Sequence, residues 1–429
     1  MAKHYIQILL ITILLNEYLL FNLNHHFRSK PLLFDENEEF VPKELFNRDN
    51  LIIDTDNKPF KETITSKNII DEMGLGWNLG NTLDASNGKS EGVESETCWG
   101  NPKTTKEMIK EIARKGFKTI RLPTTWSNHL IDKNYTIDPE WMKRVKEIVD
   151  WCIESGLYVI LNVHHDNADL SEESIKYGEG YYPLLKDLEE SENFLYNVWK
   201  QIAIAFNSGY DHHLIFEALN EPRLKGHTYE WNFKREEPTC VEACSVLNKY
   251  LKLIVNTIRE TEGNNYKRFI MATPLSAGFG SAIQSNFEFP KDLYNEINKL
   301  ILSVHMYSPY DFTMSKDLSL NVFLEEYKSS LEDDFKKLYD KYIKEGYNII
   351  IGEFGARDKN NLEERIKWGK FYIETARKFG ISCVIWDNGI FRTEPEGVGS
   401  FYGLLRRGEL SWKNDELVDT YIKAAEVIN

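Results

Sequence analysis

Apolar residues in this chain come in short runs that recur along its length, separated by polar and amphipathic segments. From about residue 66 onward, each run of strand length is followed by a polar loop. An amphipathic segment at helical spacing comes next, often closed by a glycine. The runs cover residues 75–79, 117–122, 157–163, 214–219, 268–272, 301–306, 348–352 and 381–386. They are rich in Val, Ile and Leu and read as strands buried on both faces, which predicts a parallel sheet covered by helices. End signals bracket the intervening helices. Thr104-Thr105-Lys106-Glu107 reads as a capping box closed by Gly116, and Asp138-Pro139 opens a helix that Gly156 ends. Gly346 and Gly380 end the helices before the seventh and eighth runs, and a last amphipathic helix starts near Asp415. Eight such units are what a closed (β/α)₈ barrel requires, so residues 66–429 are predicted to form one α/β barrel domain. An open, doubly wound sheet is the alternative architecture.

The N-terminus follows a different pattern. Lys3 and His4 precede an apolar stretch over residues 5–15, which Asn16-Glu17 breaks before residues 18–21. That is too short and too interrupted for a comfortable membrane span. It predicts a signal peptide over residues 1–23 and a secreted, extracellular protein, with an uncleaved anchor as the alternative. Residues 24–65 are polar, acidic and irregular, as expected of a leader or linker lying along the domain surface.

Composition narrows the function classes. With 52 Lys and Arg against 67 Asp and Glu, the net charge of −15 suits neither a nucleic-acid backbone nor an anionic membrane as partner. Aromatic residues make up 13% of the chain, including ten Trp, more than enough for a core and an apolar ligand face. Five cysteines do not make a disulfide scaffold, and the spacing of Cys240 and Cys244 alone does not establish a bridge.

In a (β/α)₈ barrel the catalytic groups sit at the carboxyl ends of the strands. Those positions carry Asn81 after the first run, Arg121 in the second, and His164-His165-Asp166 after the third. Asn220-Glu221 follows the fourth, His305 and Tyr307 the sixth, Glu353 the seventh, and Trp386 ends the eighth. A single rim glutamate is ordinarily an ion-pair partner. Two glutamates from opposite sides of the ring, inside such an array, are the minimum equipment for hydrolysing a glycosidic bond: one protonates the leaving oxygen, the other attacks or activates water. That chemistry calls for no cofactor and no metal.

Leu219-Asn220-Glu221-Pro222 and Ile351-Gly352-Glu353-Phe354-Gly355 resemble the strand-four and strand-seven motifs of the retaining barrel glycosidases. Gly76-Trp77-Asn78-Leu79-Gly80-Asn81-Thr82, Ile120-Arg121-Leu122-Pro123, Val163-His164-His165-Asp166, His305-Met306-Tyr307 and Ile385-Trp386-Asp387-Asn388 extend the likeness. Within that clan the chain resembles glycoside hydrolase family 5, the cellulase family. With Thr97-Cys98-Trp99-Gly100-Asn101-Pro102 it is similar to the subfamily 4 endoglucanases. The resemblance implies Glu221 as acid/base and Glu353 as nucleophile. It implies Arg121 and Tyr307 as the groups that hold the nucleophile, and Asn220 as the partner of the sugar 2-OH. Asn81, His164, His165 and His305 are implied as polar subsite contacts, and Trp386 as the indole platform at the cleaving subsite. Adjacent histidines on a strand point to opposite faces, so only one of His164 and His165 is expected to head the pocket. Trp99 and Trp126, in loops after the first two strands, are candidate subsite aromatics or surface packing. The implied roles require a raised pKa for Glu221 and an ionised Glu353.

The implied reaction is double-displacement, endo-acting cleavage of β-1,4-linked glucan (cellulose or mixed-linkage β-glucan) by a monomeric enzyme whose partner is the polysaccharide. Xyloglucan, xylan and mannan are the alternative substrates. Two further classes compete. A metal-dependent hydrolase using His164, His165, Asp166 and His305 suffers from the adjacency of its histidines. A non-catalytic sugar-binding protein leaves both glutamates unexplained.

Overall fold

The chain is described from a computed structural model over residues 43–426, apart from 62, 89–91, 171–172, 177, 293–298 and 393–398. The expected export signal lies outside the described residues. Eight parallel strands close into a barrel in sequence order. They are β1 (Leu75–Asn78), β2 (Thr119–Leu122), β3 (Tyr158–Asn162), β4 (Leu214–Glu217), β5 (Ile270–Ala272), β6 (Leu300–His305), β7 (Asn348–Phe354) and β8 (Ser382–Ile385). Each falls within or overlaps the run that predicts it.

Ten α-helices accompany the strands among the described residues: α1 (Ser66–Glu72), α2 (Lys106–Lys115), α3 (Pro139–Glu154), α4 (Leu188–Ala205), α5 (Pro238–Arg259), α6 (Phe279–Gln284), α7 (Tyr310–Thr313), α8 (Glu325–Leu338), α9 (Leu362–Lys378) and α10 (Asp415–Ala425). The cap of α2 is Thr105, whose hydroxyl accepts from Met108 N–H, so the start lies one residue beyond the expected box. Asp138 caps α3 by accepting from Glu140 N–H, with proline at the first turn. Cys240 and Cys244 are unbridged, one turn apart on α5.

Side-chain parity divides the barrel. Leu214 and Phe216 on β4, or Val159 and Leu161 on β3, face the helices and join the large outer core. Their neighbours point inward. In the lower half of the barrel, Tyr158, Ile160, Ile215, Met271, Ile301, Ile350 and Val384 form a second apolar cluster. Phe60, Ile64, Ile69, Ile70 and Met73 belong to it, so α1 and the segment before it plug the barrel floor. Further upstream, Asp54 accepts from the backbone N–H groups of Asn207 and Gly209, and Leu45 N–H donates to Asn197. Leu45, Asp54, Phe60 and Ile64 thus tie the segment before α1 to the barrel.

Two irregularities bear on the site. Along β6 and β7, Val304 pairs with Ile351 but His305 pairs with Glu353, so the register slips by one residue there. A second slip separates β7 from β8 between Ile351 and Phe354. Such bulges re-aim side chains at the rim of a sheet.

Candidate active site

Above the apolar floor, the inward positions of the strands turn polar. Arg121 on β2 is fully buried at their centre, and each branch of its guanidinium is engaged. Nε donates to Glu217 Oε2 at 2.8 Å; Nη1 donates to Asn78 Oδ1 and Glu353 Oε1, both at 2.9 Å; Nη2 donates to Asn220 Oδ1 at 2.7 Å. A charge this deep persists only because it is paired on both sides. Removing one partner of such a pair costs about 3–5 kcal/mol.

Glu353, from β7, receives the Arg121 bond on Oε1 and the Tyr307 hydroxyl on Oε2 at 2.9 Å. Glu221, just beyond β4, has its Oε1 2.9 Å from His305 Nδ1, and Arg223 Nη1 stands 3.8 Å from its Oε2. His305 Nδ1 is also 3.7 Å from Glu353 Oε1. One carboxylate oxygen of each glutamate and a ring nitrogen of His305 all lie within 4.8 Å of one another. That closeness suits the separation of about 5–5.5 Å between the carboxyls of a retaining pair. It does not suit the 6.5–9.5 Å that leaves room for a water in an inverting pair.

Burial pushes Glu353 above the usual carboxylate range, opposed by the charges of His305 and Arg121. Burial acts on Glu221 as well, but there the His305 hydrogen bond and charge outweigh it and hold the carboxyl below its usual value. Burial disfavours the His305 cation, yet Glu353 and Glu221 together raise its pKa. In the free site these directions are the reverse of those expected from the assigned roles. The physical reason is His305, which pairs with Glu221 instead of standing free as a subsite contact.

The walls of the site come from neighbouring strands. Trp386 is half-buried at the end of β8, and its indole lies over the backbone of Gly80. A Cβ at residue 80 would come within 2.7 Å of the indole, so glycine there is what lets the ring lie flat. The ring of His164 is parallel to that indole, with centroids 6.3 Å apart. Burial drives the His164 pKa well below the ordinary histidine value, and its Nδ1 is 3.0 Å from Asn162 Nδ2. Against expectation, the two adjacent histidines do not part: they lie beyond the end of β3, their rings meet at a centroid distance of 4.5 Å, and His165 also faces Trp99 and Asp84. Trp99, 40% exposed, lines a cleft of about 880 Å³ with Asp84, Asn128, His165, Lys176 and Arg223.

One further expectation is corrected. Trp126 is fully buried, its Nε1 donating to Asn162 O and its backbone N–H to Asp166 Oδ1, so it is core and not a subsite aromatic. Asn81 sits in a left-handed turn with φ 56°, anchored through its backbone by Asp84 and Asn101. Asn78, on β1, is a further asparagine that touches the Arg121 guanidinium.

Sequence reasoning also missed Glu217, Asn162 and Ser303, which form a buried layer beneath the two glutamates. Glu217 accepts from Arg121, from Asn162 Nδ2 at 2.8 Å and from Ser303 Oγ at 2.6 Å. The signal was available: an acidic residue inside an apolar strand, in phase with the inward Ile215. Reading only strand ends passed over it.

The family model for cellulase (glycosyl hydrolase family 5) matches residues 83–392. The chain belongs to glycoside hydrolase family 5. It is 40% identical to endoglucanase A of Clostridium longisporum over 365 residues, covering 84% of this chain and 66% of that protein. Among solved structures, a mutant of the family 5 lichenase from Caldicellulosiruptor sp. F32 in complex with cellotetraose superposes with a TM-score of 0.78. It is 37% identical over 87% of this chain and 98% of that one. A GH5-4 broad specificity endoglucanase from Ruminococcus champanellensis with bound cellotriose gives a TM-score of 0.76 and 36% identity, covering 85% of this chain and all of that one. The resemblance to family 5 and its subfamily 4 read from the motifs agrees with these matches.

Proposed function

We propose that this family 5 protein is an endo-β-1,4-glucanase acting by double displacement, with Glu353 as nucleophile and Glu221 as acid/base. The observation that carries this reading is the close approach of the two carboxyls in unlike surroundings. Glu353 is gripped on both oxygens by Arg121 and Tyr307, which fixes it for in-line attack on an anomeric carbon. Glu221 touches a titratable partner across a 2.9 Å bond, so a proton has a short path between His305 and the carboxyl. A sugar filling the cleft expels water from Glu221, and that desolvation favours its neutral, proton-donating form. Asn220 gives its carbonyl to Arg121, which leaves its amide NH₂ to hold the sugar 2-OH. Trp386 supplies the apolar platform beneath the ring, and Trp99 with His165 extends the cleft.

Cellulose and mixed-linkage β-glucan are the substrates this reading favours. The relatives carry names such as endoglucanase and lichenase. Neighbours described as broad specificity endoglucanases favour, as a second reading, action on xyloglucan, xylan or mannan as well. We further propose that the protein is secreted as a monomer behind the N-terminal export signal; no helix among the described residues is long and apolar enough to cross a membrane. Proton NMR of the first product tests the mechanism. Retention gives the β anomer first, and initial α anomer overturns the assignment. One preparation assayed on a panel of soluble polysaccharides separates the two substrate readings.

A further inference from the structure

Glu217 belongs to neither carboxylate role, yet it is more enclosed than either catalytic glutamate. It is fully buried, on the same inward face of β4 as Ile215 and one layer above it. Every contact it makes in the site is with a donor. Oε2 takes Arg121 Nε at 2.8 Å, Arg121 Nη2 at 2.6 Å and Asn162 Nδ2 at 2.8 Å, while Oε1 takes Ser303 Oγ at 2.6 Å. Glu353 occupies the guanidinium's other edge through Nη1. Arg121 is thus a cation shared between two carboxylates, and of the two only Glu353 keeps any exposure.

We propose that Glu217 is a positioning residue for glycosyl transfer: a buried counter-charge that locks one edge of Arg121, so that the other edge aligns Glu353 without taking up its full negative charge. This inference rests on Glu353 being the nucleophile. An unshared guanidinium would bind that carboxylate more tightly and make it a weaker base and a slower nucleophile. The packing is built around this layer. A Cβ on Gly352 would stand 3.0 Å from Ser303 Oγ, 3.1 Å from His305 Nε2 and 3.3 Å from Glu217 Oε1. The register slip that pairs His305 with Glu353 passes over that same residue. The Asn162 amide that donates to Glu217 also meets His164 Nδ1, so the layer reaches the wall opposite Trp386.

The charged and titratable groups facing Glu353 are Arg121 from β2, Glu221 beyond β4, His305 from β6 and Tyr307 beyond β6. Those facing Arg121 are Glu217, Glu353 and His305. Glu217→Gln removes one negative charge from this set while keeping the shape. The measurement is the rate of trapping by 2,4-dinitrophenyl 2-deoxy-2-fluoro-β-cellobioside, whose leaving group needs no acid, across pH, with mass spectrometry locating the adduct. Expected is an adduct on Glu353 in both proteins. In Glu217→Gln the acid limb moves about one pH unit downward and the plateau rate falls about tenfold or more. Glu217→Asp keeps the charge but shortens its reach, so its acid limb stays in place while trapping per active site slows. If Glu217→Gln does not fold, this second variant decides. A folded Glu217→Gln with the wild-type limb and rate overturns the proposal, as does Glu217→Asp trapping at the wild-type rate per active site. Failure of the wild-type protein to label on Glu353 overturns the nucleophile assignment itself, a distinct result.

Discussion

His305 Nδ1 and Glu221 Oε1 are 2.9 Å apart, so a side chain from β6 and a carboxyl beyond β4 share one hydrogen bond across the barrel mouth. That bond lowers the proton affinity of Glu221 and raises that of His305. Removing the imidazole should therefore raise the pKa of both glutamates. His305→Gln is expected to move the whole pH profile of kcat/KM toward alkaline pH, by about half a unit to one unit, with a peak about tenfold lower. A shift toward acid would reverse the sign of this interaction. His305 contributes stability below the ordinary histidine pKa, and that contribution is lost as pH rises through its raised value. The unfolding midpoint of the variant should approach that of the wild type at alkaline pH.

The unlike surroundings of the two carboxyls separate their variants. Glu353→Gln is expected to abolish turnover of every glycoside, because no nucleophile remains. Glu221→Gln should lose natural glucans and spare the first step for aryl glycosides with acidic leaving groups. Azide should then rescue Glu221→Ala on those substrates and give a β-glycosyl azide. Rescue of the residue-353 variant in its place would exchange the roles.

Two tryptophans should respond in opposite ways. Trp386 is half-buried over Gly80 with its indole parallel to the His164 ring, so Trp386→Ala is expected to lower kcat/KM on barley β-glucan at least about tenfold with the fold intact. Trp126 is core, and its truncation should cost about 3–5 kcal/mol of stability. Paired kinetics and denaturant melts on both variants check the contrast.

Asp166 offers a stability test independent of sugar. Its Oδ1 accepts from Trp126 N–H at 2.9 Å and Ser127 N–H at 2.6 Å, while Oδ2 is buried with no partner among the described residues. Burial pushes its pKa up to about 6. The folded protein therefore binds that proton more tightly than the unfolded chain. The associated stability is full below about pH 4 and is lost as pH rises through about 6. Asp166→Asn keeps the Oδ1 acceptor without the charge. It should be more stable than wild type at pH 8, by on the order of 2–3 kcal/mol, with the gap narrowed to about a third by pH 4.5 and closed only below about pH 4. Denaturant titrations at the two pH values decide, and a less stable variant at pH 8 would refute the linkage.

The chain's own pattern determined the barrel and most of the rim. Eight apolar runs alternating with amphipathic helices require a parallel sheet with helices outside, and strand ends are where such a barrel exposes functional groups, so Glu221, Glu353, Arg121, Tyr307 and Trp386 were legible from position alone. What the barrel interior contains was not, because it depends on which face each strand turns inward. Glu217 lies within an apolar run, and only closure of the ring places it under Arg121 with Asn162 and Ser303. Two residues in loops after successive strands, Trp99 and Trp126, look alike in sequence. One lines the cleft and the other is core, because loop backbone is set by contacts distant along the chain such as Asp166 with Trp126. The proton affinities followed the same rule. Tertiary structure decided them through the register slip that pairs His305 with Glu353 and the bond that ties His305 to Glu221, since neither a strand's register nor a cross-barrel bond is encoded in local spacing.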